Sequence, residues 1–535
     1  MPLGKKTIPW LAAILIVTAA CLSPILQNDF INRDDPSYII DNELIKEVSF
    51  QNIGKIFSTP QYEGDYHPLT MLCFAVQYNF FHNRPQGYHT MSLLLHLVAT
   101  MLVFIVFLQL SKELIIACIV SLLFGIHPTH VESVAWISQQ KDMLYAIFYL
   151  CSFSLYIKYV RTESSPKLIY LGTLLFFILS LLSKTMAVSF AVVIFLVDYV
   201  LARQFSKKLV IEKIPFLALA VAFGMWAITA HSIAGAFSNE VSYGFYDRLL
   251  LAGYAAFKYI MTIIIPFKLS AYYPYPFSPG QALVIMTLYP LGILLLIAGI
   301  LRTHRTTRKI VFGGGFFFLN IATIMQVFPL AGAYMADRYT YVASLGLFYL
   351  AGSAACFLSE KYDYRRSVKK IVIWAGVGLV SFMFAVMTWN RTSAWNNSVT
   401  LWTDVISRFP NVPFIYVYRG NARRLPEENT LALADFNKAI NLNSDLGIAF
   451  YSRGYVYASS GDHEAAIVDY SRAIDLHYEP HLCYSNRGSS FTSLGQIDKA
   501  LADFTHAIQM NPGYADPYFN RANVYLRLGQ YRMAI

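Results

Sequence analysis

Two adjacent carboxylates, Asp34 and Asp35, stand in Asn32-Arg33-Asp34-Asp35-Pro36, just past an apolar run. They open Asn28 to Tyr88, the one long polar stretch ahead of Trp389. A carboxylate at a membrane surface meets an apolar wall that raises its pKa and cations that hold it ionised. That is the tuning a general base requires, so Asp34 and Asp35 are the catalytic candidates. The same Asp-Asp-Pro also reads as turn chemistry, an Asx cap before a proline.

Further chemically capable residues sit in short polar segments between apolar runs: Asp65-Tyr66-His67-Pro68, His127-Pro128-Thr129-His130-Val131-Glu132, Lys141-Asp142, Ser183-Lys184-Thr185 and Asp337-Arg338-Tyr339. Any one of these is equally an ordinary interface anchor. Acids, imidazoles and cations gathered over a lipid surface suit a substrate that is itself anionic and lipid-linked. His67, His127, His130, Glu132, Lys141, Asp142, Asp337 and Tyr339 are the substrate-binding candidates. His127, His130 and Glu132 also have the types of three metal ligands, but Pro128 follows the first of them and interrupts the helix that a zinc pair needs. Pro128 reads as the end of a short span, and neither a metal nor another cofactor is expected.

These segments are positioned by a membrane domain. Of 535 residues, 56% are hydrophobic, 16% aromatic and only 14% charged, too few polar groups to cover a soluble globule. The net charge of +10 is spread over short loops and reads as positive-inside topology and not as a nucleic-acid face. The six cysteines show neither disulfide nor zinc-knuckle spacing. Residues 1–27 read as a retained first anchor, since Thr18 stands where a lipoprotein signal usually has Leu.

Apolar runs follow at about 89–109, 114–126, 143–160, 168–183, 186–202, 214–232, 248–265, 283–301, 310–330, 342–358 and 371–389. A crossing takes ~20 apolar residues, so 114–126 must borrow length from its flanks. Clusters around Lys158/Arg161, Lys207/Lys208, Arg302/Arg305 and Arg365/Arg366 belong on the cytoplasmic side. That assignment fails by strict alternation if 248–265 crosses. Asp247 to Ile265 is therefore expected to lie along or dip into the outer face, ahead of Pro266 and the Tyr/Pro-rich Ala271 to Pro279. About eleven spans then remain, with the amino end inside and residues 28–88 forming a first external loop. The polytopic part covers 89–389 and a linker 390–412.

From 413 to 535 the chain changes character. Arg419, Arg453, Arg487 and Arg521 are 34 residues apart, as are Asp435, Asp469 and Asp503; Ala439/Ala473/Ala507 and Gly461/Gly495/Gly529 keep the same step. A 34-residue unit with Gly between helical halves is the tetratricopeptide pattern, about 3.5 repeats here, and a solenoid of this kind offers a face to a peptide or protein. The first unit is degenerate at Leu425-Pro426. The fourth stops inside its second helix at Ile535, which reads as a fragment or as a solenoid capped by a partner.

In order along the chain, Asp34-Asp35, Asp65-Tyr66-His67-Pro68-Leu69-Thr70, Gly87-Tyr88-His89 with Leu93-Leu94-Leu95-His96, His127-Pro128-Thr129-His130-Val131-Glu132-Ser133-Val134-Ala135, Ser183-Lys184 and Ala336-Asp337-Arg338-Tyr339-Thr340-Tyr341 resemble the transmembrane and tetratricopeptide-repeat O-mannosyltransferases. That resemblance covers nearly the whole chain. It implies an all-α, GT-C-like membrane domain followed by an α-solenoid, and a polyprenyl-phosphate sugar as donor. It further implies that Asp34 or Asp35 is the catalytic acid position, and that Lys184 and Arg338 bind the donor phosphate.

The expected function is transfer of mannose or another hexose to a hydroxyl, on Ser or Thr of a protein, at the non-cytoplasmic face of a bacterial inner membrane. Its partners are membrane lipid, the lipid-linked sugar and an acceptor held by the repeats, with no nucleic acid. Two other readings stand beside it: a non-catalytic scaffold for envelope proteins, and a ligase of lipid-linked glycans.

Overall fold

The computed structural model describes residues 4–59, 64–162, 166–233, 243–278, 280, 284–305, 307–325, 333–361, 368–423 and 426–535. They form two compact units, Met1–Asn397 and Ser398–Ile535, and contain helices and turns but no strand among the described residues. Arg365 and Arg366, Pro279, Leu425 and the end of the 310–330 run lie outside the described residues.

The principal helices of the first unit are α1 (Ile8–Leu22), α2 (Pro68–Phe81), α3 (Pro85–Ser111), α4 (Leu114–Ile126), α5 (Gln140–Arg161), α6 (Lys167–Ser183), α7 (Phe190–Val200), α8 (Ile214–Ile233), α9 (Phe245–Ile264), α10 (Leu288–Arg302), α11 (Arg308–Ile321), α12 (Thr340–Lys361) and α13 (Val368–Ala394). Several begin on proline at the first helical positions, where the missing N–H costs nothing: α1, α2 and α3. The α3 helix stops at Lys112, which turns left-handed at φ 61°. The α4 helix stops at Ile126 because His127, ahead of Pro128, is held extended.

Six of the described helices are long and apolar enough to cross a membrane, and Leu114–Ile126 with Pro128–Ala135 makes a seventh if that pair, bent by 48°, is one span. The short 114–126 run reaches crossing length only if it is joined to that flank. The chain is a multi-pass membrane protein. Among the described residues, length and composition do not reach the eleven crossings expected, and Lys167–Ser183, Thr185–Val200 and Leu288–Arg302 are apolar helices short of ~20 residues.

Small residues let these helices approach closely, the usual device where lipid is as apolar as the helix surface. A Cβ on Gly346 would lie 2.3 Å from the Gly313 carbonyl oxygen, so α11 and α12 cross backbone to backbone. Gly253 of α9 presses on Pro290 at the start of α10, where a Cβ would come within 2.6 Å of its backbone. The α9 helix buries Leu250, Leu251, Ala255, Ala256, Tyr259 and Ile263 while Phe245, Tyr246, Leu249 and Ile264 stay exposed, and it carries Asp247, Arg248 and Lys258. It is not among the six long apolar helices.

In the second unit the 34-residue step has a direct physical cause. Arg453 donates from Nε and Nη2 to the two carboxylate oxygens of Asp469, both at 2.7 Å. Arg487 clasps Asp503 in the same way at 2.8 and 2.9 Å, and Arg419 clasps Asp435 at 3.0 and 2.6 Å. Each fork joins the two helices of one repeat. Gly461, Gly495 and Gly529 turn the chain between helices with φ of 86°, 72° and 72°, a region that disfavours a side chain. Helix Ser398–Arg408 precedes the first repeat within this unit, and α13 continues to Ala394, so most of 390–412 is helical.

Candidate active site

The two acids of the leading pair have different surroundings. Asp35 is fully buried, and both of its oxygens are occupied: Oδ2 accepts the Ile31 N–H at 2.8 Å, and Oδ1 accepts the Ser138 N–H at 2.9 Å and the Ser138 hydroxyl. Burial pushes the Asp35 carboxyl up to about 7, against these bonds, which favour its charged form; the neighbouring Asp34 adds to the rise. Asp34 keeps 23% of its side chain exposed and lies 3.9 Å from Arg33 Nε.

Beside them stands a cluster built from α5 and the first polar loop. Lys141 Nζ reaches the Asp65 carboxylate at 3.0 Å, the Tyr38 hydroxyl donates to the same oxygen at 3.0 Å, and the ammonium lies 5.0 Å from the Tyr38 ring. His67 stacks on Tyr38 at 5.3 Å and lies 3.9 Å from Asp65. Lys141 also feels the charges of Asp34 and Arg338, so this cluster and the acid pair share one electrostatic environment.

A second cluster carries the remaining cations. Arg338 donates from Nη1 to Glu132 at 2.5 Å and from its backbone N–H at 3.1 Å, and its guanidinium lies 4.7 Å from the Tyr339 ring. Lys184 pairs with Asp142 and lies 5.4 Å from the same Tyr339 ring; Asp142 also accepts the Ser133 hydroxyl at 2.9 Å. Trp136 links the two clusters, with the guanidinium carbons of Arg33 and Arg338 at 5.3 and 5.4 Å from its ring. Asp337 accepts the Tyr273 hydroxyl at 2.7 Å, and Tyr273 in turn accepts the Ser270 N–H at 2.9 Å. The loop after α9 thereby braces the Asp337–Tyr339 turn.

The fold does not bring His127 and His130 to the acids. His127 Nε2 donates to the Ile263 carbonyl at 2.9 Å while Nδ1 meets the Thr129 hydroxyl at 2.8 Å. His130 donates from Nδ1 to the Phe124 carbonyl at 2.8 Å and meets Ser344 at 3.2 Å. Both rings are buried among Phe124, Tyr341, Phe348 and Phe384, where they join helices. Glu132 turns instead to Arg338, so His127, His130 and Glu132 do not converge on a metal position. Among the described residues the one group with metal-ligand spacing is Glu113, Cys356 and Glu360, at the opposite end of α4.

Sequence reading missed Ser138, Trp136 and Tyr273, which carry no motif and act only through contacts made across the fold. Arg33 and Asp65 were visible as neighbours of candidate residues, without a role.

Family models described as TPR repeat and Tetratricopeptide repeat match residues 488–529 and 448–477. A protein O-mannosyl-transferase of Caenorhabditis elegans is 24% identical over 417 residues, covering 74% of this chain and 55% of that protein. Protein O-mannosyl-transferase TMTC3 of Homo sapiens is 31% identical over 140 residues, covering 24% of this chain and 14% of that protein. The chain thus spans about half the length of the first relative and far less of the second. Among solved structures, ArnT from Cupriavidus metallidurans bound to undecaprenyl phosphate aligns with 95% of this chain and 81% of that one at 12% identity, with a TM-score of 0.39, too low to equate the folds. The chain is therefore a multi-pass, tetratricopeptide-repeat relative of the protein O-mannosyl-transferases.

Proposed function

We propose that this protein is a glycosyltransferase that moves a sugar, mannose or another hexose, from a polyprenyl-phosphate donor to a hydroxyl on Ser or Thr of a protein. The observation that carries this reading is the pairing of a buried, fully bonded Asp35 with a partly exposed Asp34 that lies 3.9 Å from Arg33 and within the electrostatic reach of Lys141. Of the two acids Asp34 alone keeps exposed side-chain surface, so Asp34 is the base and Asp35 the residue that positions its backbone.

In the step that follows, the acceptor hydroxyl gives its proton to Asp34 as its oxygen bonds to the anomeric carbon. The bond from that carbon to the phosphate oxygen breaks, and the electron pair leaves with the lipid phosphate. Attack opposite the leaving group inverts the anomeric centre. Lys184 and Arg338 stabilise the departing anion, which needs little acid assistance, and Lys141, Asp142, Asp337, Tyr339 and His67 shape the sugar and acceptor positions.

The site faces the non-cytoplasmic side of a bacterial inner membrane with the amino end inside. In this topology α9, with one apolar face exposed and the other buried, lies in the plane of that surface. The repeats hold the protein or peptide acceptor.

The test is incubation of purified protein with a polyprenyl-phosphate-linked radiolabelled sugar and a panel of Ser/Thr peptides, with Asp34→Asn as control. Label on a peptide with wild type and not with the variant supports the reading. Label on a saccharide indicates a glycan ligase, and no label with any acceptor leaves a repeat scaffold.

A further inference from the structure

Among the described residues, Arg33, Lys141, Lys184 and Arg338 lie at the acid pair and the two clusters, and three of these four cations are already committed. Lys141 holds Asp65 at 3.0 Å, Arg338 holds Glu132 at 2.5 Å, and Lys184 holds Asp142. Arg33 differs: its closest carboxylate contact, to Asp34, is 3.9 Å, beyond hydrogen-bond length, and its bond to the Ala271 carbonyl is long at 3.4 Å. It is also the most open of the four, with 27% of its side chain exposed against 15% for Arg338, 12% for Lys184 and 8% for Lys141.

Its position is nonetheless fixed. The guanidinium rests 5.3 Å from the ring of Trp136, which is itself buried and stacked on Trp395 at 5.7 Å. A guanidinium held over an indole by its charge still has N–H groups for a ligand, and its planar fork matches two oxygens of a phosphate. A committed cation takes up a new anion only by sharing or breaking its carboxylate bond, which makes it the weaker ligand of the two. Arg33 has no such bond to break.

We propose that Arg33, seated on Trp136, is the principal ligand for the phosphate of the lipid-linked donor, with Arg338 on the same indole as its second cation. This rests on the glycosyl-transfer reading above and adds to it a residue that the resemblance does not name. It also places the phosphate beside Asp34, so that one short stretch, Arg33-Asp34, supplies both the grip on the leaving group and the base.

The test uses the full chain in nanodiscs and two probes, undecaprenyl phosphate and undecaprenol, with affinity read by thermophoresis and folding by monodisperse elution. Arg33→Gln is expected to weaken undecaprenyl phosphate binding by about tenfold and to leave undecaprenol binding within twofold, the size of one charge-assisted contact. Arg33→Lys keeps the charge, protects against loss of folding, and is expected to lose about threefold for want of the planar fork. If both variants bind the phosphate as wild type does, or lose the alcohol equally, the Arg33 assignment is overturned alone. If the wild type binds neither probe, the donor reading falls together with it.

Discussion

The Asp35 carboxylate accepts both the backbone N–H and the hydroxyl of Ser138, a residue 103 positions away, and so pins the first polar loop to the turn that precedes α5. This bond separates the surroundings of two adjacent acids: Asp35 is buried with both oxygens bonded, while Asp34 stays partly exposed, 3.9 Å from Arg33.

Asp34→Asn should lower sugar transfer by about two orders of magnitude or more, the scale of a lost general base, with the melting temperature in detergent unchanged. Asp35→Asn should lower the melting temperature, because an amide nitrogen cannot accept one of the N–H groups now bonded to Oδ1 or Oδ2 and leaves it buried at a cost of about 1–3 kcal/mol. Transfer assays run beside thermal unfolding check both. Equal transfer by Asp34→Asn and wild type removes the catalytic assignment.

Stability should depend on pH through Asp35. Its carboxyl is raised from 3.8 to about 7 in the folded protein, so the folded state holds the proton more tightly than the unfolded one. The contribution is fully present below about 4 and is lost as pH rises through about 7. The difference in melting temperature between wild type and Asp35→Asn should therefore shrink or change sign between those limits. A difference that is flat with pH contradicts the burial of a titrating carboxyl there.

Glu132→Gln should destabilise the membrane unit by about 3–5 kcal/mol, since it leaves the Arg338 guanidinium in a largely buried position without its counter-charge. The double variant with Arg338→Gln should recover part of that loss. Unfolding by guanidinium or heat of the two single variants and the double variant gives the coupling, and strict additivity of the two losses argues against the pair.

In the repeats, Arg453→Ala should cost about 1.5–3 kcal/mol by removing a charged fork and leaving Asp469 buried, and Gly461→Ala should cost about 1–2 kcal/mol because its φ of 86° strains a side chain. Circular dichroism melts check both. Ala substituted at exposed Val468 supplies the reference for a neutral change.

The repeats were legible from the sequence because their bonds are local: Arg453 and Asp469 are 16 residues apart in every copy, so the contact prints itself as a period. Apolar runs marked the helices for a similar reason, since lipid and core both demand a continuous stretch of apolar side chains. The order of short polar segments likewise carried the resemblance to the O-mannosyltransferases. Which side chain in each segment faces the site was not legible. His127 and His130 have the residue types of ligands, yet Ile263, Phe124 and Ser344 consume their nitrogens. Arg33 and Arg338 are far apart in the chain and share one indole only because Trp136 is packed between their segments. A sequence fixes residue types and local periods, whereas the direction of a single side chain is decided by helix packing, where an unpaired buried charge costs more than any local preference can recover.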